Sequence, residues 1–318
     1  MIRLFYIKKG VGLTWEKNPL LLKPHDSERI VWVDLQDSTR EEKKKVELNF
    51  SIELFTPQEA AEIESSSRYF EDDEYIEANN AFIVYEDKSY TTDQVSFIVR
   101  KGILFTLRST DLRSFALTVR KLKSFKSASE LSGLQILLTL LEHQIDLDAD
   151  FIEYITKLTS AISRRLTKEK SLKEEVLLHI TELQENTILA RESIVDKQRL
   201  VSSLIKSKSV AEDEKERLRI IIKDIGSILQ HTLFSFERLG YLQNTFLGLV
   251  NIEQNMVIKI FTVVTVVFMP PTLIASIYGM NFRTMPELEW SLGYPFAVAL
   301  MVLSSVVFLW YFKRKNWL

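Results

Sequence analysis

Residues 260–282 read IFTVVTVVFMPPTLIASIYGMNF, and residues 290–312 read WSLGYPFAVALMVLSSVVFLWYF. Each stretch holds 23 residues without a charge. A helix of that length spans about 34 Å, enough to cross a hydrocarbon core of about 30 Å. Two buried core helices are the alternative. Because only residues 283–289, RTMPELE, separate the two stretches, the pattern favours a transmembrane hairpin in a lipid bilayer.

The charges that flank the two stretches predict the orientation of this hairpin. Lys259 precedes the first stretch, and Lys313, Arg314 and Lys315 follow the second, whereas the connecting residues 283–289 carry one base and two acids. Basic residues remain on the cytoplasmic side of a membrane. The N-terminal residues contain no apolar run long enough for a secretory signal. We therefore expect both termini in the cytoplasm and the connecting segment outside.

The overall composition excludes several classes of protein. Lys and Arg number 41 and Asp and Glu number 43, for a net charge of −2, so nucleic acid is not an expected partner. Cysteine is absent, which excludes disulfide scaffolds, thiolate zinc sites and cysteine nucleophiles. The four histidines are scattered without metal-ligand spacing, and no nucleotide-binding motif occurs. We expect neither an enzyme nor a bound cofactor.

The N-terminal part of the chain has the composition of a mixed α/β domain. Five short segments are rich in β-branched and aromatic residues, as strands are: IRLFYI, RIVWVDL, AFIVYE, QVSFIV and ILFTLR. Between them, the segments that begin at Ser38 or Thr39 and at Thr56 have the capping residues of helices. We assign residues 1–125 to a cytoplasmic α/β domain.

A stretch without helix breakers follows this domain. Glycine is absent from Leu134 to Ile225 and proline from Gln58 to Met269, as long helices require. We expect a helical stalk over residues 126–255, whose last helix of about 60 residues continues into the membrane. The predicted fold is an α+β membrane protein with an N-terminal α/β domain, a long helical stalk and two C-terminal transmembrane helices. We assign residues 256–282 to the first transmembrane helix, 283–289 to the external loop and 290–312 to the second transmembrane helix. Residues 313–318 form a basic cytoplasmic tail.

A stripe of mostly polar and small residues runs along one face of the first stretch. Its steps of 7, 3, 4, 3, 4 and 3 residues connect Asn255, Thr262, Thr265, Met269, Thr272, Ser276 and Gly279. The hydroxyls could simply bond to the preceding helical turn. A stripe that begins at Asn255 and ends two residues before Asn281 is better explained by contact with water. Because two helices cannot enclose a pore, a water-lined pathway would need several copies in cyclic symmetry.

The outer end of the first stretch reads YGMNF at 278–282. NIEQN (251–255), FMPPT (268–272), MPEL (285–288), the triplet at 293–295 and YFKRKNWL (311–318) accompany it. Together these segments resemble the CorA family of divalent-cation transporters, whose defining motif is Gly-Met-Asn at the end of the first of two C-terminal spans.

The resemblance implies a homopentamer in the bacterial inner membrane that takes up Mg²⁺ passively, with Co²⁺ and Ni²⁺ as further candidates. It also implies that the selectivity mouth is built by Gly279, Met280 and Asn281. Four residues of the first span would line the pore: Asn255, Ile258, Met269 and Thr272. Asn281 amide oxygens would accept hydrogen bonds from the waters of hydrated Mg²⁺, and Glu287 would concentrate cations outside.

The family also binds cytoplasmic Mg²⁺ between subunits, and the resemblance implies Glu62 and Asp224 as regulatory ligands. Arg283 departs from the family pattern, because relatives often carry an acid there. Two other functions stay open. The chain could be a zinc transporter of the same superfamily, against which Met280 argues, or a membrane-tethered scaffold without a conduit. A scaffold gives no reason for the polar stripe.

Overall fold

The chain forms two compact units, Met1–Leu242 and Gln243–Leu318, in a computed structural model. The structure describes residues 1–8, 12–19, 28–56, 59, 68–124, 131–169, 174–283 and 285–315.

The described strands of the first unit form one seven-stranded sheet in the order β2-β1-β3-β7-β6-β5-β4. Strands β3 and β7 are parallel, and all other neighbours are antiparallel. The strands are β1 Ile2–Lys8, β2 Gly12–Lys17, β3 Glu28–Gln36, β4 Tyr69–Glu71, β5 Tyr75–Glu86, β6 Ser89–Arg100 and β7 Ile103–Arg108. The five predicted strands are confirmed. Strands β2 and β4 were not predicted from the sequence. Both are edge strands that bury few side chains, so they give only a weak signal of alternation between apolar and polar residues.

Helices cover both faces of this sheet. Helix α1, Arg40–Phe50, packs Val46 against a core of sheet residues that includes Leu35 and Phe105. It begins as predicted: Glu42 donates its backbone N–H to Thr39 Oγ1, and Thr39 donates its own to Glu42 Oε2, at 3.2 and 2.9 Å. The other predicted helix, beginning at Thr56, falls largely outside the described residues.

On the opposite face, Phe5 stacks on Trp32, with ring centres 4.4 Å apart. Trp32 in turn contacts Phe115 of α2, Arg113–Lys123. Two longer helices also pack against this sheet: α3, Gly133–Arg164, and α4, Glu174–Lys206. A short π-helical turn, Arg165–Glu169, follows α3.

Helix α3 begins against the backbone of β7. A Cβ added to Gly133 would lie 2.4 Å from the backbone nitrogen of Leu104, so only glycine allows this close approach. Ser132 caps the helix by accepting a hydrogen bond from Gln135 N at 3.2 Å. The cap and the glycine together set where α3 starts.

A buried ion pair connects α3 and α4. Lys197 Nζ lies 3.1 Å from Asp148 Oδ2, and it also donates to the carbonyl oxygen of Ala81 in β5 at 2.9 Å. Gln144 donates to Asp148 Oδ1 at 2.9 Å. Burial lowers the pKa of Lys197 and raises that of Asp148, and the mutual attraction of the two charges opposes both shifts.

The last two helices are α5, Glu212–Tyr278, and α6, Gly293–Arg314. Helix α5 is continuous over 67 residues and passes through Pro270 and Pro271, which confirms the predicted long helix. Both helices are long and apolar enough to cross a membrane. Within the second unit they pack through Val263 and Val267 of α5 and Phe312 of α6. The predicted domain boundaries stay predictions.

Candidate ion pathway and its mouth

The predicted stripe lies on the face of α5 that α6 leaves uncovered. Helix α5 contacts α6 through Val263 and Val267. At 3.6 residues per turn, the stripe residues lie roughly 100–180° around the helix from that contact. All of them are exposed: Asn255, Ile258, Thr262, Thr265, Met269, Thr272, Ser276 and Gly279. The hairpin therefore leaves a complete face free for another molecule.

Three threonine hydroxyls of the stripe already donate a hydrogen bond within α5. Thr262, Thr265 and Thr272 each donate to the carbonyl oxygen four residues earlier, at 2.8 Å. The bonding to the preceding turn is thus present in the structure. A hydroxyl has one hydrogen, so each oxygen can only accept a further hydrogen bond. Waters around a cation point their hydrogens outward, and an acceptor-only surface suits such a hydrated cation.

Two apolar side chains interrupt this surface. Ile258 and Met269 are 61% and 60% exposed, and they lie eleven residues apart, about 16 Å along the axis. If copies of this face surrounded a pathway, both levels would be narrow and apolar. Constrictions of this kind close by losing their water.

The mouth residues follow directly on the end of α5. Helix α5 ends at Tyr278, and Gly279 and Met280 donate backbone hydrogen bonds to Ala275 and Ile277 at 2.9 and 3.3 Å. A Cβ on Gly279 would lie 3.0 Å from the carbonyl oxygen of Ala275, so a larger residue would fit there only tightly. Met280 and Asn281 are exposed beyond this turn. The amide of Asn281 is thus presented at the end of the stripe.

The connecting segment packs on the first turn of α6. A Cβ on Gly293 would lie 2.2 Å from the carbonyl oxygen of Glu287, and the ring centres of Trp290 and Phe296 are 5.8 Å apart. Glu287 lies in a 3₁₀ turn, Pro286–Leu288, with an exposed side chain. Sequence analysis missed this contact. The available signal was a glycine at the first position of an apolar helix, where it permits the close approach of another backbone.

The structure describes only one of the two predicted regulatory residues. Asp224 is exposed on α5, and Glu62 lies outside the described residues. Within the described ranges, no group of three or more Asp, Glu or His side chains is arranged to hold a metal ion. A regulatory site shared between subunits therefore stays a prediction.

The acidic residues of the first unit include two runs, at residues 71–77 on β4 and β5 and at residues 142–153 on α3. In the run on α3, Glu142 pairs with Arg217 at 2.8 Å and Glu153 with Lys157 at 2.7 Å. These carboxylates, like Asp148, neutralise cations of the same chain. In the run on β4 and β5, burial and then the nearby charge of Glu53 raise the pKa of Glu77. In this second run, Glu74 pairs with Arg100 at 2.8 Å, so carboxylates of both runs neutralise cations of the same chain.

Comparisons with known proteins cover almost the whole chain. The model of the CorA-like Mg²⁺ transporter protein family matches residues 27–314. The chain is 36% identical to the magnesium transport protein CorA of Wolinella succinogenes over 327 aligned positions, covering 100% of both chains. It is 38% identical to that of Escherichia coli K12 over 291 positions, covering 91% of this chain and 92% of the other.

Two solved structures share the fold at low sequence identity. The CorA magnesium transporter from Methanocaldococcus jannaschii superposes with a TM-score of 0.84 at 21% identity, covering 100% of this chain and 99% of the other. The full-length CmaX protein superposes with a TM-score of 0.73 at 14% identity, covering 100% and 98%.

Proposed function

The chain belongs to the family of CorA-like Mg²⁺ transporter proteins, and from that premise we propose that it is a channel-like transporter for passive Mg²⁺ uptake. Moving one charge through 100 mV yields about 2.3 kcal/mol. A divalent cation that enters a negative interior therefore gains roughly twice that free energy. Uptake needs no cofactor or nucleotide. Co²⁺ and Ni²⁺ are further proposed substrates.

The observation that carries this proposal is the row of three acceptor-only threonine oxygens on the uncovered face of α5, at Thr262, Thr265 and Thr272. In a homopentamer with cyclic symmetry, five stripes would face one axis and enclose a pathway. Thr262, Thr265 and Thr272 would then offer rings of oxygen acceptors to the waters of the passing ion. These three rings would offer no hydrogen-bond donor to an anion.

Selection would take place at the outer mouth. Mg²⁺ gives up its waters reluctantly, so a mouth that holds the hydrated ion avoids the cost of stripping it. The ring of Asn281 amide oxygens would accept hydrogen bonds from those waters. The turn at Gly279 and Met280 would fix the position of this ring beyond the end of α5. Glu287, held beside the start of α6, would raise the local concentration of cations.

Cytoplasmic Mg²⁺ would close the pathway. Glu62 of one subunit and Asp224 of its neighbour would share an ion that offsets their mutual repulsion. Loss of this ion would let the long helices move and widen the constrictions at Ile258 and Met269. Side-chain ligands that remain partly hydrated give weak binding, which suits an abundant ion.

We place the hairpin in a bacterial inner membrane with both termini in the cytoplasm. The cations at both outer ends of the hairpin support this orientation. The zinc alternative is not favoured, because the relatives that match over nine tenths or more of the chain include the magnesium transport proteins named above. A scaffold without a conduit does not require the row of threonine acceptors.

Flux into proteoliposomes tests the proposal. With an imposed negative interior potential, we expect entry of Mg²⁺, Co²⁺ and Ni²⁺ that exceeds entry of Zn²⁺. Thr272→Val keeps the shape of the side chain but removes the acceptor, and it should slow Mg²⁺ entry. Thr181→Val is the matched control, because Thr181 makes the same backbone bond on an exposed face of α4. Absence of potential-driven Mg²⁺ entry in the intact protein would contradict the proposal.

A further inference from the structure

The face of α6 turned away from α5 carries an apolar groove. The contact with α5 uses Phe308 and Phe312. On the other side of the helix, a groove of about 640 Å³ is lined chiefly by Pro295, Val298, Ala299, Val302, Leu303 and Val306. The small side chain of Ala299 leaves room between larger neighbours. The apolar lining of the groove suits contact with a hydrocarbon chain.

Two cations lie at the cytoplasmic end of the same helix. Lys313 and Arg314 are exposed, and by helix geometry Lys313 lies on the same face as Val302 and Val306. Within the described part of the chain, neither cation takes part in an ion pair. A cation at a helix C-terminus is stabilised by the helix dipole alone. The helix dipole therefore accounts for Lys313 and Arg314, but it does not account for the aromatic ring and the apolar groove next to them.

An aromatic ring lies between the groove and the cations. Trp310 is 59% exposed, and the guanidinium carbon of Arg314 lies 5.4 Å from the centre of its ring. The cation–π contact holds the charge of Arg314 close to the end of the groove. Tryptophan itself favours the boundary between hydrocarbon and headgroups. Along the face, the order is apolar groove, aromatic ring and cations, which is the order of acyl chain, ester region and phosphate in a phospholipid.

We propose that this face binds an anionic phospholipid of the cytoplasmic leaflet. Its phosphate would contact Lys313 and Arg314, its glycerol region Trp310, and an acyl chain the groove at Val302 and Val306. This inference rests on the membrane orientation proposed above. The two cations favour a lipid with net negative charge over a zwitterionic one, and each should contribute about a fivefold preference.

Native mass spectrometry of the full-length protein in detergent tests the site. Dioleoyl phosphatidylglycerol and dioleoyl phosphatidylcholine differ only in their headgroups, and we expect the protein to retain the first in preference. Lys313→Gln and Arg314→Gln should each lower that preference about fivefold. Arg283→Gln removes an exposed cation at the opposite end of the hairpin and should leave it unchanged. Trp310→Leu keeps every charge and should still weaken retention.

Equal retention of the two lipids by the parent protein would overturn the proposal, and so would an undiminished preference in the double variant Lys313→Gln/Arg314→Gln. The same spectra report the oligomer mass, so a misassembled variant is recognised. Lipid retention needs no ion flux. Failure of Mg²⁺ transport with an intact lipid preference therefore contradicts the proposed function alone, and the reverse result contradicts the lipid site alone.

Discussion

Ser305 Oγ of α6 donates a hydrogen bond to the carbonyl oxygen of Val267 in α5, 3.3 Å away. In an uninterrupted helix that carbonyl would accept from the backbone N–H of residue 271, but residue 271 is proline and has none. In hydrocarbon, a backbone carbonyl without a partner is costly. The serine of one helix thus satisfies a group that the proline of the other leaves free.

Removal of this hydroxyl should loosen the hairpin. We expect Ser305→Ala to reduce the unfolding free energy in mixed micelles by about 0.6 kcal/mol, the average for such bonds between membrane helices. Ser304→Ala is the control, because Ser304 bonds only to Met301 within its own helix among the described contacts. Equal stability of the two variants would show that the Val267 carbonyl finds another partner.

The mouth assignment predicts a loss of transport without a loss of assembly. Asn281→Ala removes one exposed carboxamide from each subunit at the entrance, so Mg²⁺ uptake should fall to background while the oligomer mass stays the same. Asn49→Ala removes an exposed carboxamide from α1 and should have no effect on flux. Near-normal flux through a well-assembled Asn281→Ala protein would refute the assignment.

The regulatory assignment predicts a change in the response to Mg²⁺. The double variant Glu62→Gln/Asp224→Asn should conduct at high internal Mg²⁺, where the parent is closed, and should lose Mg²⁺-dependent protection against protease. Both quantities are measured across a Mg²⁺ titration. If parent and variant respond identically, other carboxylates bind the ion, and those around Glu77 are the next to test.

His143 predicts a pH dependence of stability. Thr118 Oγ1 donates to the carbonyl oxygen of Ser114 at 2.8 Å, so His143 Nδ1, 3.1 Å away, must donate to Thr118. Burial and then the nearby charge of Lys121 lower the pKa of His143. The folded state therefore binds this proton less readily than the unfolded state.

The contribution of His143 to stability should be fully present above its unfolded pKa of about 6.5 and lost as the pH falls below it. We expect the Tm of the parent to fall between pH 7 and pH 5 more steeply than that of His143→Gln. His179→Gln, at an exposed position of α4, should keep the parent slope. The same slope for His143→Gln and the parent would show that other groups govern this range.

The buried pair of Lys197 and Asp148 predicts a large mutational effect. Lys197→Met leaves the Asp148 carboxylate buried without its counter-charge, which costs about 3–5 kcal/mol. The double variant Lys197→Met/Asp148→Leu removes both charges and should recover much of this loss. Denaturant unfolding of the three proteins measures the difference. A double variant less stable than Lys197→Met would mean that the charge pair is not the source of the effect.

Apolar periodicity was sufficient to predict the main strands, the long helices and the hairpin, because each depends on residues close together in the chain. The stripe on α5 was predictable for the same reason, since one helix carries it. Strands β2 and β4 escaped prediction because edge strands bury little. Sequence periodicity also carries no information on which distant residues meet. The contacts of Ser305 with Val267 and of Lys197 with Asp148 depend on such meetings.

The Lys197–Asp148 pair also limits the routes by which this sequence can change. Replacement of either residue alone leaves an uncompensated charge in the interior, so a lineage that alters one position passes through a destabilised intermediate. Positions 148 and 197 should therefore covary. In related chains, we expect either both charged residues or neither of them. Their joint loss would mark a branch in which another contact fixes α3, α4 and β5 together.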